Sequence, residues 1–305
     1  MKRKVIELGK NCLVTSLPAK WVKQQNIKKG DDIDIIEAEG NLHISSGSMP
    51  VIRQGTLNVT DFGLLSRRAI DAMYKSGYDE IKISYSDQKD MQAVEQAIDL
   101  EAMSFEIVEQ GKGYCIVRSI SEPNEKEFDT ILRRTLLLLK SMGEGILNAL
   151  KQKDAETLRQ MKNLEKTNNK FTHFLRRYLN KYGYREQNRT IFLYTIVESL
   201  EKIADEFKFL CDYISDDKRK DMKISPEIFA MFAKVNSSIS IFYESFYQFD
   251  TEKARLFAEI RKEVVNEAHK QFDAKPSRSL ILVHYLLNIE QMLYDMFGPY
   301  LAMIL

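Results

Sequence analysis

The chain has 305 residues, 44% of them apolar and 29% charged, with a formal net charge of +1. That balance excludes a disordered or fibrous chain and supplies enough apolar surface for two or three folded domains. Three widely spaced cysteines, Cys12, Cys115 and Cys211, make no C-x-x-C pair, which fits a reducing cytosol and argues against a disulfide framework.

Residues 1–30 carry eight basic side chains against Glu7 alone, so +7 sits in that segment and −6 in the remainder. A basic end on an otherwise acidic chain points to a polyanionic partner. The opening "MKRKVIELGKN" has no apolar stretch behind its charges, so no signal peptide is expected. "KVIELG" and "NCLVTSL" read as short strands. In "SLPAKWVKQQNIKKGDD", Pro18 suits a first helical turn, Ser16 is a candidate cap, and Leu17, Trp21 and Val22 give one apolar edge. Gly30 ends the "IKKGDD" turn, and "DIDII" and "LHIS" flank a hairpin turn at "EGN". Elements this small cannot bury a core alone, so dimerisation is expected on physical grounds.

Residues 1–46, through Gly9, "VTSLPAKWV", "IKKGD" and the closing hairpin, resemble the AbrB/SpoVT swapped-hairpin domain. The resemblance implies a β-barrel made by two chains exchanging hairpins, with basic side chains presented to DNA. Carried onto this chain, it makes Lys10, Lys20 and Lys23 phosphate contacts and Lys2, Arg3 and Lys4 an arm. Trp21 and Val22 stand where an arginine is often found nearby. A lysine-dominated surface supports DNA affinity better than sequence selectivity, because phosphate contacts position while arginine or amide side chains read bases. The alternative is a dimerisation module whose basic face is incidental.

In residues 50–120, "GTLNV" reads as a strand and "TDFGLLSRRAIDAMYKSG" as an amphipathic helix with Phe62, Leu65, Ala69 and Met73 on one face and Thr60 or Asp61 as its cap. "DEIKISY" alternates, "DQKDMQAVEQAIDLEAM" is helical, and "SFEIVEQGKGYCIVRSI" turns at Gly111–Gly113. The expectation is a small α/β sandwich acting as a structural spacer; the alternative is a domain that binds a small effector, which nothing in these residues names. "GKG" is a turn, since no lysine-serine pair and no helix follow it.

"SEPNEKEF" marks a boundary, and 123–305 is almost purely helical. Its longest apolar runs, "TLLLL" and "LILVHYLL", are too short to span a bilayer, so a cytoplasmic protein without membrane insertion is expected. Six helices are predicted, at about 125–151, 154–181, 187–214, 225–248, 251–271 and 277–303. They fall into two sets of three, about 125–214 and 225–304, with acidic pairs about 90 residues apart. That pattern implies a duplicated three-helix bundle. Tandem three-helix bundles with "LEKIAD" in a third helix resemble the PhoU family of cytoplasmic regulators of phosphate uptake and signalling. An AbrB-like domain ahead of PhoU-like bundles is similar to archaeal phosphate uptake regulators. The fold class expected is therefore multidomain α+β: swapped-hairpin barrel, α/β sandwich, then all-α bundles.

PhoU-like proteins carry metal on E-x-x-x-D motifs, and Glu201 and Asp205 match that spacing, with Glu198 one turn before. A divalent or iron-type ion on this face is what the resemblance implies. On a helical wheel, Ile196, Leu200, Ile203, Phe207 and Leu210 form the core stripe and the three carboxylates lie nearly opposite, which excludes a buried cage. The alternative is an ordinary solvated face with Lys202 pairing Glu198. Glu290 and Asp295, the counterparts in the last helix, are five apart and fall on different faces.

A ferritin-like di-metal enzyme needs Glu-x-x-His pairs, and none precedes His43, His173, His269 or His284. Those histidines read as surface or packing residues, with "FTHFL" and "LVHYLL" favouring packing for His173 and His284. No nucleophile elbow or H-E-x-x-H is present, so an enzyme is not expected. "IFYESFYQF" at 241–249 and the C-terminal "GPYLAMIL" read as core or as an interface. The functional expectation is a homodimeric DNA-binding regulator of phosphate uptake. The alternative is an adaptor that docks on a phosphate transporter ATPase or sensor kinase and uses its N-terminal domain only to dimerise.

Overall fold

The computed structural model describes residues 2–9, 12–38, 40–45, 52–216, 222–274 and 277–305. They divide into two units, Met1–Arg53 and Gln54–Leu305. In the first, β1 (Ile6–Glu7) pairs antiparallel with β2 (Leu13–Val14), and helix α1 (Ala19–Gln24) follows. Strand β3 (Asp34–Ala38) then pairs antiparallel with β4 (Asn41–Ser45). Pro18 occupies the cap position of α1 and no side chain caps it, so the cap expected at Ser16 does not form. Gly30 adopts φ +97°, which only glycine takes readily, and the Lys28 amide donates to Asp31 Oδ2 at 2.7 Å to close the turn.

Among the described residues of this unit no side chain is buried. Val5, Ile6, Leu8, Leu13, Ile35 and Leu42 are exposed, while Leu17, Trp21 and Val22 are half-buried. The strands make two separate two-stranded sheets, and the described residues contain no closed barrel.

The second unit is mostly helical and begins with an α/β layer. Strand β5 (Gln54–Asn58) leads through a 3₁₀ stretch, Val59–Leu65, into α2 (Ser66–Lys75), then β6 (Glu80–Ser84) and α3 (Gln88–Glu101). Strands β7 (Phe105–Gly111) and β8 (Tyr114–Ser119) form the predicted hairpin. The sheet order is β5-β6-β8-β7, with β5 and β6 parallel and the other pairs antiparallel.

The helix predicted from residue 60 starts at Ser66 instead, because Gly63 breaks the chain at φ +51°. The Ser66 hydroxyl donates to the Val59 and Gly63 carbonyls at 2.8 and 2.6 Å and holds that break. Phe62 and Leu65 are consequently exposed, and the buried face of α2 is Ile70, Asp71 and Tyr74. Ile81, Ile83, Val94, Phe105, Cys115 and Val117 complete the core of this layer.

The six predicted helices are present, each end within three residues of its expected place: α4 (Glu125–Gln152), α5 (Ala155–Tyr182), α6 (Thr190–Ser215), α7 (Pro226–Tyr247), α8 (Thr251–Asp273) and α9 (Leu280–Ile304). Their starts are set by side-chain caps at Asn124, Asp154, Ser225 and Asp250, each accepting backbone N–H bonds of the first turn. The two sets of three share one continuous core, with α4 against α7 and α6 against α9. A Cβ at Gly143 of α4 would meet the Asn236 side chain and the Phe207 ring, so the close crossing there requires glycine. The aromatic run of α7 is split: Phe242 is buried edge-on to Phe297 at 5.3 Å, whereas Tyr247 and Phe249 remain exposed. Tyr300 of the C-terminal segment is buried and donates to the Ser245 carbonyl. No helix among the described residues is long and apolar enough to cross a membrane.

The α/β layer meets the helices through α5. Arg177, 2% exposed, donates to the Tyr74 carbonyl at 3.0 Å, to the Tyr78 carbonyl, and to Asp79 Oδ1 at 2.7 Å. Its guanidinium lies 4.8 Å from the Phe105 ring centre and 5.2 Å from that of Tyr74. Lys181 reaches the same Asp79 oxygen at 2.6 Å, and Asn180 donates to the Lys75 carbonyl at 2.8 Å. Cations and donors thus meet carbonyls at and just beyond the C-terminal end of α2, where the helix dipole favours positive charge. Arg177→Ala is expected to lower stability by about 3–5 kcal/mol in urea denaturation, because Asp79 is left buried with one cation fewer. Arg177→Lys should restore only part of it, since an ammonium lacks the planar fork. A loss below about 1 kcal/mol would show that the layers hold without this contact.

Candidate functional site

In the first unit Lys2, Arg3 and Lys4 precede β1, and Lys20 and Lys23 lie on α1; all five are exposed. Lys10 falls outside the described residues. The side chain of His43, on β4, also falls outside them. The described basic side chains of this segment are exposed and none is part of a buried core.

The three carboxylates singled out on α6 do not converge. Glu198 pairs with Lys202 at 2.9 Å, the partner expected for a solvated face. Asp205 pairs with Lys208 at 2.9 Å, and Lys208 also holds Glu165 of α5 at 2.7 Å. Glu201 turns away from solvent: its side chain is only 21% exposed and takes Arg176 of α5, with the Thr172 hydroxyl donating at 3.2 Å. Each carboxylate therefore answers a different cation, and the trio does not fit a shared ion. Placing Glu201 opposite the core was wrong because Val197, Ala204 and Cys211 are fully buried as well. They widen the buried face until Glu201, one turn from Val197 and from Ala204, stands at its edge.

A second group of titratable side chains gathers where α2, α3 and α5 meet. His173 of α5 is 4% exposed, with Nδ1 2.9 Å from Asp71 Oδ1 and Nε2 3.4 Å from Glu201 Oε2. Glu101, the last residue of α3, joins them: one ligand atom from each of Asp71, Glu101 and His173 lies within 4.8 Å of the others. Lys75 holds Asp71 by its Oδ2, and Arg67 holds Glu101 by its Oε1. Burial works to raise the Asp71 carboxyl, but His173 and Lys75 outweigh it and leave it below its ordinary value.

Beside Glu101 and Arg67 opens a groove of about 290 Å³ between α3, α5 and α6, bordered by Lys162, Glu165, Lys208 and Asp212. Its cations are largely spent on its own acids, as in Lys208 with Glu165 and Lys162 with Asp212.

Asp71 and Glu101 carried no mark in the sequence, and His173 read as a packing residue. It is buried, but against carboxylates. His284, expected to pack, is exposed and faces Asn288 at 3.3 Å, and His269 is exposed. Glu290 and Asp295 do point to different faces. Asp295 is exposed and accepts from Gln291 at 2.8 Å, whereas Glu290 is fully buried and accepts from the Ser238 hydroxyl at 2.9 Å.

No family model matches the chain, and no curated protein matches it. Among solved structures, it is similar to the crystal structure of the phosphate transport system regulatory protein PhoU from Streptococcus pneumoniae. The identity is 13%, covering 57% of this chain and 92% of that one, with a TM-score of 0.48. At that score the likeness bears no weight, and the six-helix arrangement stands on the packing described above.

Burial pushes the Glu290 carboxyl from its ordinary 4.5 up to about 7, against the lowering effect of Ser238 and of the Arg261 charge. The folded chain therefore binds this proton more tightly than the unfolded one. The stability it confers is complete below pH 4.5 and is lost as pH rises through about 7. The loss amounts to about 3 kcal/mol. Glu290→Gln should remove that slope and be the more stable protein at pH 8, as read from urea midpoints at several pH values. Equal slopes for both proteins would place the charge cost elsewhere.

Proposed function

We propose that the chain is a homodimeric DNA-binding regulator of phosphate uptake or signalling, a binding protein rather than an enzyme. The observation that carries this is the state of the N-terminal unit. Its described side chains include none that is buried, it exposes seven large apolar residues, and its first thirty residues hold a charge of +7. A unit without a core of its own needs a second copy to cover its apolar residues. The AbrB/SpoVT resemblance supplies the manner, an exchange of hairpins between chains into one barrel. Pairing two such units doubles a surface already matched to a phosphate backbone. Basic side chains that are all lysine but for Arg3 suit positioning on DNA more than reading its bases.

The phosphate connection is supported by the two sets of three helices and by "LEKIAD" on α6, through their resemblance to the PhoU family. In this reading the helical unit is the regulatory half.

Labelled duplex DNA titrated with the full chain at several salt concentrations tests the DNA-binding half of this reading. Binding should weaken steeply with salt. The double variant Lys20→Ala, Lys23→Ala should flatten the log–log slope by about 1.8, the equivalent of two phosphate contacts. Absence of binding at low salt, or an unchanged slope in the double variant, overturns it.

A further inference from the structure

We propose that Asp71, Glu101 and His173 hold a divalent first-row transition-metal ion where the α/β layer meets α5. The site differs from the acidic face of α6 and uses none of that face's residues as ligands. Three observations carry it. One ligand atom from each of the three residues lies within 4.8 Å of the others. Among the described residues, His173 Nδ1 and Asp71 Oδ1 have no hydrogen-bond partner, although both are buried and only 2.9 Å apart. And Nε2 of the same imidazole faces the Glu201 carboxylate at 3.4 Å.

The last two fit together. The Glu201 carboxylate opposite Nε2 orients the imidazole from behind and leaves Nδ1 facing Asp71. An ion coordinated by Nδ1 and by Asp71 Oδ1 would give both atoms a partner. Ligands at right angles on an ion with bonds of about 2.1 Å stand about 3.0 Å apart, close to the 2.9 Å between Asp71 Oδ1 and His173 Nδ1.

The surroundings have the form of an outer shell. Lys75 takes one oxygen of Asp71 and Arg67 one oxygen of Glu101, which orients each carboxylate. Arg176 and Thr172 fix Glu201 behind the imidazole. These cations also offset the carboxylate charge, so affinity falls below that of a site with unpaired acids. One imidazole nitrogen with two carboxylate oxygens suits borderline ions such as Zn²⁺, Mn²⁺, Fe²⁺ or Co²⁺, and suits neither Ca²⁺ nor Cu⁺.

Full-length protein stripped with a chelator and titrated with Co²⁺ tests this. The visible d–d absorption should saturate at one ion per chain, and Zn²⁺ should displace it. His173→Ala should abolish the signal. Glu101→Gln, at the least buried of the three positions, should weaken binding at least about tenfold. Glu198→Ala with Asp205→Ala should leave it unchanged. Far-UV circular dichroism identifies which variants are folded, and Glu101→Gln decides the matter where His173→Ala is not. No saturable absorption in the unaltered chain, undiminished binding in either folded ligand variant, or loss of binding in the α6 double variant overturns the proposal.

Discussion

Arg177 is almost sealed from solvent, and its charge is tolerated there because it meets Asp79 and two peptide carbonyls at the end of α2. Much of the α/β layer's attachment to the helices runs through this contact. Residues 67, 71 and 75 of α2 lie one turn apart, and Asn169, His173 and Arg177 of α5 repeat the same step alongside them. Arg67 and Asn169 border one groove, Asp71 meets His173, and the end of α2 meets Arg177 and Asn180. Fixing one end of two helices that run together fixes the register of the rest. The position of Asp71 against the imidazole is thus a consequence of where the guanidinium sits.

That arrangement explains an oddity of α5. Asn168, Thr172, His173, Arg176 and Arg177 are all buried, although they are the residues a solvated helix face would carry. A helix polar on a second side is stable when another polar surface covers it. Here α2 and α3 cover one flank and α6 another. Each charge brought inside by that sandwich finds an opposite charge on a neighbouring element: Arg177 with Asp79, Arg176 with Glu201, Lys208 with Glu165.

The helical architecture was readable in the sequence because its punctuation is local. Asp154, Asp250 and Ser225 before Pro226 each satisfy the amides of their own first turn, so the signal lies within four residues of the event it marks. Gly63 was the local exception, since the apolar residues around it kept a helical spacing that one positive φ interrupts. The cluster at His173 had no such mark. Its members stand at 71, 101 and 173, on three elements that meet only after the two layers dock. The available hint was negative: "THFLRRY" places polar residues where the period of α5 asks for apolar ones. Glu201 was misplaced for a related reason. A wheel drawn on a single stripe assumes one neighbour, and α6 packs against α4, α5 and α9.

The two units bury charge and apolar surface in opposite ways, and this bears on what each can do. Among its described residues, the N-terminal unit keeps its charge outside and buries no side chain. The larger unit has its core and has drawn charge into the joint between its layers. An ion held by α2, α3 and α5 together would bind only the docked arrangement, so its binding free energy would be added to the stability of that joint alone. The elements it ties are those that Arg177 already registers. Such an ion would reinforce an existing contact rather than create a new arrangement, and any signal it carried would have to pass through the tightness of the α/β layer against α5.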